Sequence, residues 1–440
     1  MKTVLGLEKA IDTLCSGRKL NLSTVPDRVQ KQTNNVFGAN LTPVAFVESV
    51  LNEVETRGDD AIREITGKLE GRLVTQDFEI PGSVIKDAYR DVSDDLIKAL
   101  KLAAQRIRRF HEVSMPKGWF DTEEGYGVQI SPVKRVGSYA PSGLASTILM
   151  TVIPAKAAGV DEVILSTPGR ADSFPNPAMM VAADIAGVSR MFQVGGAQAI
   201  AGMAYGTETI PAVDVICGAG NIFVTLAKKL LYGEVGIDGL YGPTETAVIA
   251  DGTANPTLCA ADLLAQAEHD AMAAPVLITT SENVAVEVEK EIRNRAIRLS
   301  RFPIVEESLK GQGCIAIVKN LDEAIELANR YAPEHISLMV EEPWQYVKRV
   351  KNAGAIFVGE FSHEVLGDYL AGPSHVMPTG GTARFDSGLN VGTFLKFSPV
   401  IGMDMKKSEC LGKAASVIAR VEGLEGHAEA AEIREELINS

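Results

Sequence analysis

Val213-Asp214-Val215-Ile216-Cys217-Gly218-Ala219-Gly220-Asn221-Ile222-Phe223-Val224 is the stretch whose reading decides the fold. Val213–Cys217 is short, apolar and β-branched, so it reads as a strand, and Ala219–Leu231 after the glycines reads as a helix. Strand, glycine turn and helix in immediate succession are the parts of a parallel α/β layer. The same rhythm runs upstream, with strands at Glu162–Ser166 and Met191–Val194 and a helix at Pro177–Ala186. Downstream, strands are expected at Thr246–Ile249, Pro275–Thr279, Cys314–Val318, Ile336–Val340 and Ala355–Val358, with helices at Val284–Arg293, Leu321–Arg330 and Pro343–Val350. So many strands fit two successive parallel sheets better than one very wide sheet.

Residues 1–43 read as an arm, with a helix at the start and a polar stretch around Gln30–Asn35. Val44, Val47, Val50, Leu51, Val54, Ala61, Ile62 and Ile65 recur at threes and fours and predict a helix from Pro43 to about Leu69. A second amphipathic helix covers Ile85 to His111, with His111 read as a surface residue. Past Phe385 the chain is glycine-rich and bears Phe394 and Phe397, then forms helices at Ser408–Arg420 and Gly426–Leu437. Those are too little for a core of their own, so they are expected to dock on the body or on a partner subunit.

The chain has 440 residues, 46% hydrophobic and 23% charged, with a net charge of −14. That is the make-up of a globular protein with substantial cores, and it argues against nucleic acid or an anionic membrane as partner. Glu8 precedes any apolar run, so no secretory leader is expected, and no window approaches 18 uninterrupted apolar residues. Cys15, Cys217, Cys259, Cys314 and Cys410 are scattered with no CxxC pair. A reducing, cytoplasmic setting and a metal held by nitrogen and oxygen follow from that spacing.

Glycines cluster at Gly137-Ser138-Tyr139-Ala140-Pro141-Ser142-Gly143, at Val194-Gly195-Gly196-Ala197-Gln198, and at Cys217-Gly218-Ala219-Gly220-Asn221. The latter two follow strands and precede helices, where glycine lets backbone N–H groups approach a phosphate. None matches the GxGxxG fingerprint, so an ordinary Rossmann site is not expected. Glycines also simply make tight turns. Three clusters in one sheet would nonetheless converge on its carboxyl edge, with Tyr139, Gln198 and Asn221 beside a nucleotide.

Five of the six histidines follow residue 268: His269, His335, His363, His375 and His427. Asn255-Pro256 is a good helix start, and Gln266 and His269 then share a face at the helix end, where they could bind one ion or merely end the helix. Asp368, between Gly367 and Gly372, is a further oxygen donor or a turn former, and His427 begins the last helix. Two nitrogens and two oxygens suit zinc, with manganese or cobalt as alternatives. Glu334-His335 sits at a loop–strand junction, where neighbouring side chains point in different directions. His335 suits a general base and Glu334 can activate water. His375 binds substrate or packs, and His363 is expected at the surface.

The blocks Val194-Gly195-Gly196-Ala197-Gln198-Ala199-Ile200-Ala201, Met203–Thr207, Ala261–His269, Ala332-Pro333-Glu334-His335 and Glu422-Gly423-Leu424 with His427 resemble the histidinol dehydrogenase family, over nearly the whole chain from about Val44. The resemblance implies oxidation of L-histidinol through L-histidinal to L-histidine with two NAD, in a zinc-dependent, domain-swapped homodimer with one Zn2+ per subunit. It implies Gln266, His269 and Asp368 as ligands from one subunit and His427 from the other. Glu334 and His335 fall at the acid/base positions, Thr244, His375 and Glu422 at substrate contacts beside the metal set, and Tyr139, Gln198 and Asn221 at NAD contacts. The chain departs from the family pattern at Ala140 and Ser142, at a shortened loop Leu144–Ser146, at Ala219, at Val215 in place of a lysine, and at Thr244 in place of serine. Two alternatives stand beside this expectation: a paralogue oxidising another amino or hydroxy alcohol, and a non-catalytic metal- or nucleotide-binding homologue.

The fold expected is therefore α/β, with two incomplete Rossmann-like parallel-sheet domains plus small, mainly helical C-terminal segments. Residues 1–43 form the arm, 44–135 with 245–385 the domain of the metal and acid/base residues, 136–244 the NAD domain, and 386–440 a tail exchanged with the partner.

Overall fold

The computed structural model describes residues 1–16, 22, 25, 27–71, 78–170 and 174–439. Its strands are β1 (Lys2–Leu5), β2 (Trp119–Asp121), β3 (Tyr126–Pro132), β4 (Arg135–Tyr139), β5 (Glu162–Ser166), β6 (Arg190–Phe192), β7 (Val215–Cys217), β8 (Gly236–Ile237), β9 (Glu245–Ala250), β10 (Ala274–Thr279), β11 (Cys314–Ile317), β12 (His335–Met339), β13 (Ala355–Val358) and β14 (Leu395–Ile401). The chain divides into two units. Residues 1–115 with 133–394 make the first, and 116–132 with 395–440 the second.

The first unit carries two parallel sheets. The larger runs β1-β11-β10-β9-β12-β13 and the smaller β6-β5-β4-β7-β8. Strand β9 explains the larger sheet. All six of its residues are buried. Ala247 and Ile249 face a core shared with Val4 and the helix Leu321–Tyr331, while Val248 and Ala250 face another under the helices Pro256–Ala267 and Glu282–Ala296. The period of two on a sheet covered on both sides is what makes Ala247–Ala250 apolar at every position.

Several expectations are corrected. The arm is not free at its start: Lys2–Leu5 pairs in parallel with Cys314–Ile317 as an edge strand of the larger sheet, and Asp27–Phe37, spanning the polar stretch, is helical. The long helix Pro43–Glu70 packs on Gly196–Tyr205 and Ile222–Leu231, helices of the smaller sheet. It is broken at Gly58, whose φ of 54° and ψ of −129° leave the helical region. A side chain there would meet the Glu208 carboxylate at 2.5 Å. His111 is fully buried, because it continues the stripe Leu100, Ala103, Ala104 and Ile107. Pro343–Val350 contains two 3-10 turns in place of an α-helix.

The second unit holds its own antiparallel sheet, β14-β3-β2, which the sequence reading passed over. Seven residue pairs join Leu395–Ile401 to Tyr126–Pro132. The unit ends in the helices Met405–Val421 and Glu425–Asn439, packed on each other through the ion pairs Arg420–Glu432 and Lys413–Glu435. The tail is thus not simply helical, and it recruits residues 116–132. No described helix is long and apolar enough to cross a membrane.

Candidate active site

The chemistry gathers at the amino ends of β9 and β12. These strands are neighbours, with Thr246 opposite His335. The helix Leu321–Tyr331 ends at Ala332, the one described non-glycine residue with positive φ, at 48°. That left-handed residue turns the chain sharply through Pro333 so that Glu334 and His335 enter the core. Such backbone costs of order 1 kcal/mol or more and persists where packing enforces it.

Glu334 is 7% exposed and His335 4%. The Glu334 carboxylate accepts from the Thr244 hydroxyl and from the Glu245 N–H at 3.0 Å. Burial pushes it up to about 7 although His335 and both bonds pull the other way. Burial alone would depress His335, but Glu334 and then Glu364 outweigh it and hold the imidazole up to about 9. Its Nδ1 lies 3.6 Å from Glu364 Oε2, and its ring meets Phe357 edge-on at 5.5 Å.

Glu364 escaped the sequence reading, which considered His363 and passed over its neighbour. It is 2% exposed and accepts from the Thr246 hydroxyl. The signal that could have found it is spacing: Glu364 and Asp368 are four apart in the helix Glu364–Tyr369, so both carboxylates share a face. Asp262 was missed likewise. It lies one turn before Gln266 in the helix Pro256–Ala267, and burial, then Glu364, push it up to about 7.

Gln266 is buried in this network. Its amide, oriented by its neighbours, donates to Glu364 Oε2 at 3.0 Å and shares the Glu245 N–H, at 3.1 Å, with Glu334. His269 lies two residues beyond the helix, half-exposed, with Nε2 3.9 Å from Asp368 Oδ2. His375 bonds the Asp368 carbonyl through Nδ1 at 2.8 Å and Thr147 through Nε2 at 3.3 Å. Burial pushes its imidazole down while Asp368 draws it up. Glu334, His335, Thr244, Gln266, His269, Asp368 and His375 are therefore brought together. Glu422 and His427 are exposed residues of the second unit. His363 is partly exposed at the start of its helix.

As a zinc site these donors have the right chemistry, one imidazole nitrogen, one carboxylate and one amide oxygen. Two donors of a shared tetrahedral zinc sit about 3.4 Å apart at bond lengths of about 2.0–2.1 Å, so the His269–Asp368 pair is a few tenths of an ångström wide. Among the described residues no group of three His, Cys, Asp or Glu could hold a metal, so this set is one strong donor short.

The nucleotide candidates lie at the carboxyl ends of β4 and β7, between which the smaller sheet reverses its strand order. That is where open parallel sheets bind ligands. Tyr139 ends β4, and its hydroxyl accepts from Gly196 N–H at 3.2 Å. Gln198 is buried, bonded to Thr66 at 3.3 Å, with its Oε1 unpartnered among the described residues. Asn221 is exposed and caps the helix Ile222–Leu231, accepting from Phe223 and Val224 N–H groups. The helix Gly196–Tyr205 has no side-chain cap. At Gly218, φ is 110° and a Cβ would meet the Tyr139 carbonyl at 2.0 Å. A helix start with no side-chain cap and a glycine cradle fit a phosphate-bearing ligand, and the orphaned Gln198 oxygen, an acceptor, fits a hydroxyl or amide donor of the same ligand.

A buried carboxyl–imidazole pair in one α/β sheet and a glycine-lined strand edge in a second are the parts of an α/β enzyme with a proton-transfer site and a separate ligand edge. Comparison with known proteins narrows the class. The family model for histidinol dehydrogenase matches residues 39–435. A histidinol dehydrogenase of Dehalococcoides mccartyi is 48% identical over 88% of this chain and 90% of its own. One of Deinococcus radiodurans is 45% identical over 93% and 95%. The crystal structure of histidinol dehydrogenase from Elizabethkingia anophelis superposes with a TM-score of 0.90 at 33% identity, covering 100% and 99% of the two chains. The chain belongs to the histidinol dehydrogenase family.

Proposed function

We propose that this chain oxidises L-histidinol to L-histidine through the bound aldehyde, as the two oxidations that end histidine biosynthesis. The buried Glu334–His335 pair carries the reading: binding alone has no need of two buried proton-transfer groups held by dedicated partners. NAD, when bound, takes up one hydride in each oxidation. Tyr139, Gln198 and Asn221 would line its site. Zinc, when bound, anchors the amine and imidazole of the substrate. Gln266, His269 and Asp368 would hold it, with His427 supplied by a second copy through exchange of the tail, 386–440. The enzyme is then a homodimer with shared sites, one Zn2+ per subunit, working in the cytoplasm. Five scattered cysteines with no CxxC pair support that compartment.

The chain's own residues divide the proton work. His335, when neutral, accepts the proton of the substrate hydroxyl at Nε2, while Glu364 faces Nδ1 and stabilises the charge that forms. Glu334, poised near neutrality, takes a proton from water as it adds to the aldehyde. Thr244 orients Glu334 by donating to it, so the hydroxyl is needed and the extra methyl is tolerated. His375 and Glu422 would contact the substrate. The test is NADH counted against histidine formed from zinc-loaded protein and histidinol. Two NADH per histidine are expected. One, or none, rejects the reading.

A further inference from the structure

Lys228 and Asp238 form an ion pair in the core of the smaller-sheet region, their side chains 2% and 0% exposed. Neither takes part in the chemistry above. Two charges removed from water contribute little net stability, so their placement calls for a different reason. Asp238 Oδ2 accepts from Gly218 N–H at 2.7 Å, and Lys228 Nζ donates to Gly218 carbonyl oxygen at 2.9 Å. Both backbone groups of the glycine that shapes the Cys217–Asn221 loop are thus held by one pair.

The other side of the pair touches a second segment. Lys228 Nζ lies 4.8 Å over the Tyr241 ring, the Tyr241 hydroxyl donates to the Asp238 carbonyl at 3.0 Å, and Thr225 donates to the Tyr241 carbonyl at 3.1 Å. Three residues on, Thr244 and Glu245 hold Glu334. Between them Gly242 N–H is fixed by Thr379 at 2.7 Å, leaving little slack in the segment.

We propose that the buried Lys228–Asp238 pair is a positioning unit that ties the glycine loop receiving the nucleotide to the Tyr241–Glu245 segment that aims Glu334. It rests on the reading of that loop as the NAD site. The pair sets the backbone of Gly218 on one side and seats Tyr241 on the other, so loop and proton-transfer group keep a fixed separation through both oxidations.

Two double variants of the full-length protein separate position from mere stability. Lys228→Met with Asp238→Leu removes both charges and both ties to Gly218, a replacement that buried pairs tolerate in stability. Lys228→Gln with Asp238→Asn removes the charges but leaves an amide donor and an acceptor for Gly218. In the cofactor-free protein, hydrogen exchange at residues 218–224 is expected to quicken in the apolar pair and to stay near wild type in the amide pair. Calorimetric titration with NAD is expected to show affinity weakened about tenfold or more in the apolar pair and within about threefold of wild type in the amide pair. Apolar-pair protein with unchanged exchange and NAD affinity at an unchanged melting temperature overturns the proposal. So does equal loss in both pairs, which would assign the effect to charge. Should the apolar pair fail to fold, Tyr241→Phe reads the tie from its other side. A kcat several-fold lower with NAD affinity intact is expected, and wild-type kcat overturns it. Wild-type protein that fails to bind NAD rejects the cofactor reading itself, while the exchange arm still decides whether the pair fixes the loop.

Discussion

The two parallel sheets of the first unit put opposite ends to use. In the smaller sheet the glycine loops follow β4, β6 and β7, and the helices Gly196–Tyr205 and Ile222–Leu231 begin after the last two. In the larger sheet Glu334 and His335 lie at the amino ends of β9 and β12, where the helices Pro256–Ala267 and Leu321–Tyr331 finish. Helix starts favour anions and helix ends favour cations. On the proposed reading, one sheet turns positive helix ends to a pyrophosphate, and the other turns negative ends to a metal ion, an ammonium group and a protonated imidazole. The raised affinity of His335 for its proton comes, against burial, from the carboxylates gathered at that second edge, Glu334 first and then Glu364.

The strongest way to break the comparison is to remove the base. His335→Asn keeps size and polarity but cannot accept the substrate proton, and kcat for NADH formation from histidinol is expected to fall by about 10²–10⁴. NAD affinity, a property of the other sheet edge, should stay within twofold by titration calorimetry. A matching loss of NAD binding would show that the two edges are not separate.

Gly218→Ala attacks the opposite edge. A Cβ there would sit 2.0 Å from the Tyr139 carbonyl at a φ of 110°. The loop must shift, so NAD affinity is expected to weaken about tenfold or more, with a stability loss of about 1–3 kcal/mol in chemical denaturation. Unchanged affinity would remove the loop from the cofactor site.

The pH profile sharpens the electrostatic half. His335 holds its proton up to about 9, and only the neutral ring accepts another, so kcat/KM is expected to climb as pH rises from 7 toward 9. Glu364 contributes to that hold. Glu364→Gln should therefore move the rising limb to lower pH, by about one unit. A limb that stays in place would mean Glu364 does not act on the base.

The sequence was most legible where a residue had to satisfy only its own element. Strand Glu162–Ser166 was bounded as found, because a buried parallel strand shows as a short apolar run, Val163–Leu165, with polar residues marking its ends. Glu334, His335 and their companions were legible through the family blocks that carry them. Lys2–Leu5 was not, since a four-residue edge strand is defined by the strand it joins, Cys314–Ile317, far along the chain. The second unit's sheet was hidden for the same reason: Tyr126–Pro132 is mostly half-buried with no clean alternation and finds its partner at Leu395–Ile401. Glu364 and the Lys228–Asp238 pair look like ordinary surface charges in sequence. Their burial is a property of packing between elements that no local pattern reports.

His111 gives the smallest effect and the clearest sign. Read as a surface residue of its helix, it is fully buried, and neither ring nitrogen has a partner among the described residues. Burial pushes its imidazole down to about 4 from an ordinary value of 6.5. The unfolded chain thus takes up a proton between about pH 6.5 and 4 that the folded chain refuses, and stability is lost as pH falls through that window. His111→Leu abolishes this loss, worth about 3 kcal/mol at pH 4 for a shift of that size. It also relieves the unpaired nitrogens, for about 1–2 kcal/mol at pH 7, offset in part by the lost edge contact with Phe110. Denaturant titration at pH 7 and at pH 4.5 should show the variant more stable at both, by the larger margin at the lower pH. Because His111 lies in neither sheet edge, kcat and NAD affinity should be those of the wild type. A variant less stable than wild type at pH 4.5 would mean the ring is protonated in the fold, through a partner that packing alone does not supply.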